Sequence, residues 1–88
     1  MNRLQEALKG IVSSCRMVMR LSEAVNAETP DNGNNLFDHL HGALEDSLYF
    51  LCDENTMDLQ SSTVDRLIRD DSLSDDQVAV TLSALVKI

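Results

Sequence analysis

The segment NRLQEALKGIVSSCRMVMRLSEAV places apolar residues at Leu4, Leu8, Ile11, Cys15, Val18 and Val25, with Ser22 at the one polar step. Alternating spacings of four and three gather these side chains into one stripe of an α-helix, the geometry of a seam that packs along another helix at a shallow angle. A second row, Ala7, Val12, Met19 and Leu21, widens the stripe, so this helix needs neighbours on more than one side. At about 1.5 Å rise per residue it is roughly 35 Å long. In a chain of 88 residues such a helix leaves room for a single domain, residues 1–88, built around it. Folding of so short a chain withdraws only about 60–65 % of its surface from water, and association with another chain is one remedy.

The stretch NAETPDNGNN ends the first helix: Pro30 cannot continue it, and Asp, Asn and Gly supply turn chemistry. A second helix, capped by Asn34 or Asn35, runs through LFDHLHGALEDSLYFLC with Phe37, Leu40, Leu44, Leu48 and Leu51 on one face. Leu36, Ala43, Phe50 and Cys52 spread its apolar surface sideways. The two segments form an antiparallel hairpin. After the break DENTMD, Ser62 and Asp65 stand at capping-box spacing ahead of Val64, Leu67 and Ile68, which marks a short third helix.

The closing segment alternates Val78, Val80, Leu82, Ala84, Val86 and Ile88, a pattern open to a strand reading. Its start signals favour a helix instead: Ser74 and Gln77 form a capping box, and Asp75 and Asp76 sit in the first turn, where the helix dipole favours acids. On that helix Val78, Ala79, Leu82, Leu85 and Val86 share one face, and Val80, Ala84 and Ile88 form a second. The expected fold is all-α, a long antiparallel hairpin followed by two shorter helices, with helices over 3–26, 35–52, 62–70 and 75–87. The second face of the last helix has no cover within one chain. It predicts a homodimer closed into a helical bundle, with Val80, Ala84 and Ile88 at the interface.

Cys15 and Cys52 lie in apolar segments without CxxC spacing and read as buried reduced thiols. Arg3, Glu6 and Lys9 break up any signal-peptide core, and no apolar run approaches the roughly 18 residues of a membrane span. The expectation is a cytoplasmic protein that does not enter membranes. The net charge is −8, yet the first helix has four basic side chains, Arg3, Lys9, Arg16 and Arg20, against Glu6 and Glu23. All of the excess acidity therefore belongs to the later elements, concentrated in LEDSLYFLCDENTMD and RDDSLSDD, and it repels nucleic acid. Asp70, Asp71, Asp75 and Asp76 form either a solubilising surface or an acidic face that docks on a basic protein.

Chemistry-bearing residues concentrate in DHLHGALED, which carries Asp38, His39, His41, Glu45 and Asp46. Asp38, His41 and Glu45 share a helical face, as ligands in carboxylate bundles do. Their metal pattern also needs carboxylates from a facing helix, and Glu6 and Glu23 lie off the first helix's seam, so His41 is expected in exposed ion pairs on its own helix. His39 lies on another side. Neither thiol is activated: Cys15 is on the apolar seam, and Cys52 precedes Asp53 and Glu54. Asp53 and Asn55 match the start of a calcium loop, but Asp58 stands where its glycine belongs. No catalytic, cofactor or metal residues are assigned.

The sequence therefore predicts a non-enzymatic acidic interaction protein, a regulator or adaptor that acts by stoichiometric binding to protein. One alternative is an acidic inhibitor that occupies a nucleic-acid-binding site by mimicking the phosphate backbone. Another is a metal-dependent enzyme built on Asp38, His41 and Glu45.

Overall fold

The computed structural model describes residues 1–29, 36–54 and 62–87. These form four helices, α1 (Arg3–Glu28), α2 (Leu36–Leu51), α3 (Thr63–Arg69) and α4 (Asp75–Leu85), with no strand among the described residues. The expected turn at Pro30, the N-cap at Asn34 or Asn35, most of the DENTMD break and Ile88 lie outside the described residues. α1 is 26 residues long and matches the 41 Å long axis of the molecule. Its start is fixed by a capping box: the Asn2 side chain accepts from the Gln5 amide while the Gln5 side chain accepts from the Asn2 amide.

Both α2 and α4 run antiparallel to α1. Ser22 meets Asp38 and Cys15 meets Glu45, so residue numbers rise on α2 as they fall on α1. On another side of α1, Gln5 reaches Ser83, Lys9 pairs with Asp76, and Ser13 donates to Asp75. The core between them consists of Leu8, Val12 and Cys15 from α1, Leu48, Tyr49 and Cys52 from α2 and its end, Val64 and Ile68 from α3, and Val78, Ala79 and Leu82 from α4. α4 thus buries the face expected of it, with Leu85 and Val86 packed alongside. Its helix ends at Leu85, two residues early, because Val86 is extended and the Lys87 amide donates to the Leu51 carbonyl. The helical row from Val80 through Ala84 does not continue past Leu85.

α2 is rotated from the expected orientation. Leu48 is buried and Leu44 and Leu51 border the core, but Leu40 is exposed, while Glu45, Tyr49 and Cys52 point inward. Tyr49 donates its hydroxyl to Glu45 Oε2 at 3.0 Å, which satisfies one oxygen of the buried carboxylate, and His41 Nε2 stands 3.2 Å from the other, Oε1.

α3 is only seven residues long and is held at both ends by side chains from elsewhere. At its start, Asp53 adopts φ 55 and turns the chain out of α2, with the Glu54 amide returning to the Tyr49 carbonyl. This brings the Glu54 carboxylate to the Ser62 hydroxyl and to the amides of Thr63 and Val64. Ser62 caps the Asp65 amide as expected, but the Asp65 carboxylate pairs with Arg69 rather than returning to the cap. At the other end of α3 no glycine follows, and Arg16 of α1 supplies the missing donors. Its guanidinium donates from Nε to Ile68 O, from Nη2 to Leu67 O and Asp70 O, and from Nη1 to Leu73 O and Asp75 Oδ1, at 2.8–3.2 Å.

These contacts predict acid sensitivity. Burial pushes the Glu54 carboxyl upward, but its hydrogen bonds from Ser62, Val64 and Thr63 outweigh that and hold it below its ordinary value. The Ser13 hydroxyl holds Asp75 low; burial opposes it, and Arg16 adds to the lowering. A depressed carboxyl stabilises the fold fully above its unfolded value and loses that contribution as pH falls through the folded one. Stability is therefore expected to drop as pH falls below about 4. Glu54→Gln should cost about 1–2 kcal/mol at neutral pH and flatten the acid limb. Urea denaturation at stepped pH measures both effects, and an acid limb unchanged in the variant would remove Glu54 from the explanation.

Candidate functional site

Three features carry functional weight: a buried polar cluster between α1 and α2, the acidic turn before α4, and the outward apolar faces of α2 and α4. In the first, Cys15 comes from α1 and His41 and Glu45 from successive turns of α2. The Cys15 Sγ, one imidazole nitrogen and one carboxylate oxygen all lie within 4.8 Å of one another. The side chains of His41 and Glu45 are only 15 % and 7 % exposed, so the expected solvent-exposed pairing of His41 is corrected to a largely buried one. Although His41 Nε2 and Glu45 Oε1 approach closely, they are not aligned for a hydrogen bond, and both buried atoms lack a directed partner.

Electrostatics in the cluster follow from burial. The Cys15 thiol is pushed up to about 12, first by burial and then by the charge of Glu45. Burial also raises the Glu45 carboxyl, against the opposing pull of Tyr49 and His41, and nearby Asp65 raises it further. The same burial, with Glu45 beside it, raises Tyr49. Cys52 is likewise raised, by burial and then by Glu54. Neither thiol is poised as a nucleophile.

Among the described residues the structure does not bring Asp38 into this group. Asp38 accepts from the Ser22 hydroxyl further along the hairpin, and His39 is exposed on another side of α2. The donor atom from a facing helix that the α2 pattern lacks is the Cys15 sulfur, on the apolar seam of α1.

The acidic turn is largely occupied by the protein's own cations and donors. Asp75 is held by Ser13 and Arg16, Asp76 pairs with Lys9 at 2.9 Å, and Asp70 accepts from the Ser72 amide and hydroxyl. Asp70 and Asp71 remain exposed. On α4, Val80 and Ala84 face outward, and Val80, 45 % exposed, lines a groove with Met1, Leu73, Asp76, Gln77 and Thr81.

Larger apolar exposure lies on α2. Leu36 is 76 %, Leu40 48 % and Phe50 84 % exposed, and Ala43 and Ser47 between them are exposed too. Positions 36, 40, 43, 47 and 50 alternate by four and three, a seam along the side of α2 opposite Glu45. Phe37, Leu44 and Leu51, half-buried, form one edge, and His39 and Asp46, both exposed, form the other. No helix among the described residues is long and apolar enough to cross a membrane. Comparison with protein-family models, curated proteins and solved structures finds no match.

Proposed function

We propose that the protein acts without catalysis, as a regulator or adaptor that binds other protein stoichiometrically, and that its first partner is a second copy of itself joined along α2. The observation that carries this reading is the symmetry of the exposed seam. Two α2 helices related by a two-fold axis at Ala43 run antiparallel and place Leu36 against Phe50 of the second copy, and Leu40 against Ser47. The smallest side chain falls on the axis, where the helices come closest. Along one edge His39 comes to Asp46 of the second copy; along the other, Leu44 meets its counterpart and Phe37 approaches Leu51. A seam that is complementary to itself under rotation is what a closed dimer requires. The α4 surface at Val80 and Ala84 is then free for a different partner. Blocking of a nucleic-acid-binding site by Asp70, Asp71, Asp75 and Asp76 has less support, because α1 already holds two of these carboxylates.

Light scattering after size-exclusion chromatography tests the reading. The parent should run at twice the chain mass of 9.8 kDa at micromolar concentration. Val80→Glu with Ala84→Lys, a salt-bridged pair at helical spacing, should leave that mass unchanged. A parent at the single-chain mass would refute self-association along α2, and a mass halved by the α4 pair would move the interface to α4.

A further inference from the structure

We infer that Cys15, His41 and Glu45 form a zinc site that clasps α1 to α2. The three residues supply a sulfur, a nitrogen and an oxygen donor from two helices, already within 4.8 Å of one another. Tetrahedral zinc holds these atom types at about 2.0–2.3 Å, so its ligand atoms lie less than about 4 Å apart and only small side-chain movements complete the site. Glu45 Oε1 and His41 Nε2, buried and without directed hydrogen bonds, are the atoms the ion would engage.

The surrounding side chains fit this use. Tyr49 donates to Glu45 Oε2, which orients the carboxylate and leaves Oε1 facing His41, the role an outer hydrogen bond plays around bound metals. A thiolate, a neutral imidazole and a carboxylate together carry two negative charges, which Zn²⁺ cancels in a largely buried site. Binding releases the Cys15 proton, because the thiol is the protonated form in the metal-free protein. The fourth coordination position goes to a water molecule. Calcium and magnesium, which prefer oxygen donors, do not suit this set. The ion lies on the side of α2 away from the exposed seam, so it braces the helix without entering the dimer contact.

The test uses the full chain, stripped with chelator and titrated with Zn²⁺ or Co²⁺. One ion per chain is expected, with a rise in unfolding temperature and, for cobalt, a thiolate-to-metal charge-transfer band. Cys15→Ala should abolish that band, and His41→Ala and Glu45→Gln should abolish the thermal shift. Tyr49→Phe should keep the band while weakening affinity about 10–100-fold. Asp38→Asn and His39→Ala should bind as the parent does. Circular dichroism of each metal-free variant verifies its helices, and the conservative Glu45→Gln and Tyr49→Phe keep the test decisive if Cys15→Ala fails to fold. Absence of stoichiometric zinc would overturn the site, as would cobalt binding without a thiolate band or binding that depends on Asp38 or His39.

Discussion

Replacing Arg16 with methionine is expected to remove about 3–5 kcal/mol of stability, the range found when one partner of a buried charge network is deleted. The reason lies in its accounting of donors. All five guanidinium N–H groups are used, four on main-chain carbonyls at and beyond the end of α3 and one on Asp75. Methionine fills similar space but donates nothing. The carbonyls of Leu67, Ile68, Asp70 and Leu73 and the Asp75 carboxylate would then be left short of donors in a region closed by α1, α3 and α4. A chain of this size has only about 4–13 kcal/mol in total, so the loss is a large share. It corresponds to a fall in unfolding temperature on the order of 20 °C. Lysine at position 16 keeps the charge but not the planar fork, and should recover only part of the loss. Thermal unfolding followed by circular dichroism decides the matter: a methionine variant within about 1 kcal/mol of the parent would show that Arg16 does not hold the α3–α4 junction.

The second large effect is on assembly. Ala43→Glu places a carboxylate on the two-fold axis, so each copy would bring a negative charge against its own counterpart in an apolar contact. Glutamate is a good helix former and Ala43 is exposed, so the single chain keeps its fold. The variant should run at half the parent's mass. Its unfolding temperature should lose the dependence on protein concentration that dimerisation gives the parent. An Ala43→Glu protein of undiminished mass would place the contact elsewhere.

The helices were legible in the sequence because their signals are local. Ser74 with Gln77, the four-and-three spacing from Leu4 to Val25, and the inward face Val78, Ala79, Leu82 of α4 all appear in the structure as read. The orientation of α2 was not, because α2 is apolar nearly all round. Leu36, Leu40, Leu44, Leu48 and Phe50 leave no clean polar face by which a helical wheel could choose the buried side. What chooses it is a tertiary match, His41 and Glu45 with Tyr49 and Cys15, whose polar members no hydropathy pattern would place inside. The spacing did hold a clue: Ser22 stands seven positions after Cys15, and Glu45 seven positions after Asp38. In an antiparallel hairpin, the register that joins Ser22 to Asp38 therefore joins Cys15 to Glu45. In the sequence Arg16 is only one of four basic residues of the first helix. Its role depends on where α3 ends, and the missing glycine after Arg69 was the one local hint.

The most direct measurement is disulfide cross-linking of single-cysteine substitutions along the α2 seam under mild oxidation. Helices packed 8–10 Å apart through a small residue, each with its Cα atoms about 2.3 Å from its axis, bring the two Cα atoms at the two-fold to within disulfide reach of about 4.4–6.8 Å. The native Cys15 and Cys52 are buried and do not compete. Ala43→Cys is therefore expected to form a covalent dimer in high yield. Leu36→Cys and Phe50→Cys should each stay single-chain alone and link to one another when mixed. Failure of Ala43→Cys to cross-link, or equal self-linking at 36, 43 and 50 as a parallel pair would give, contradicts an antiparallel dimer along α2.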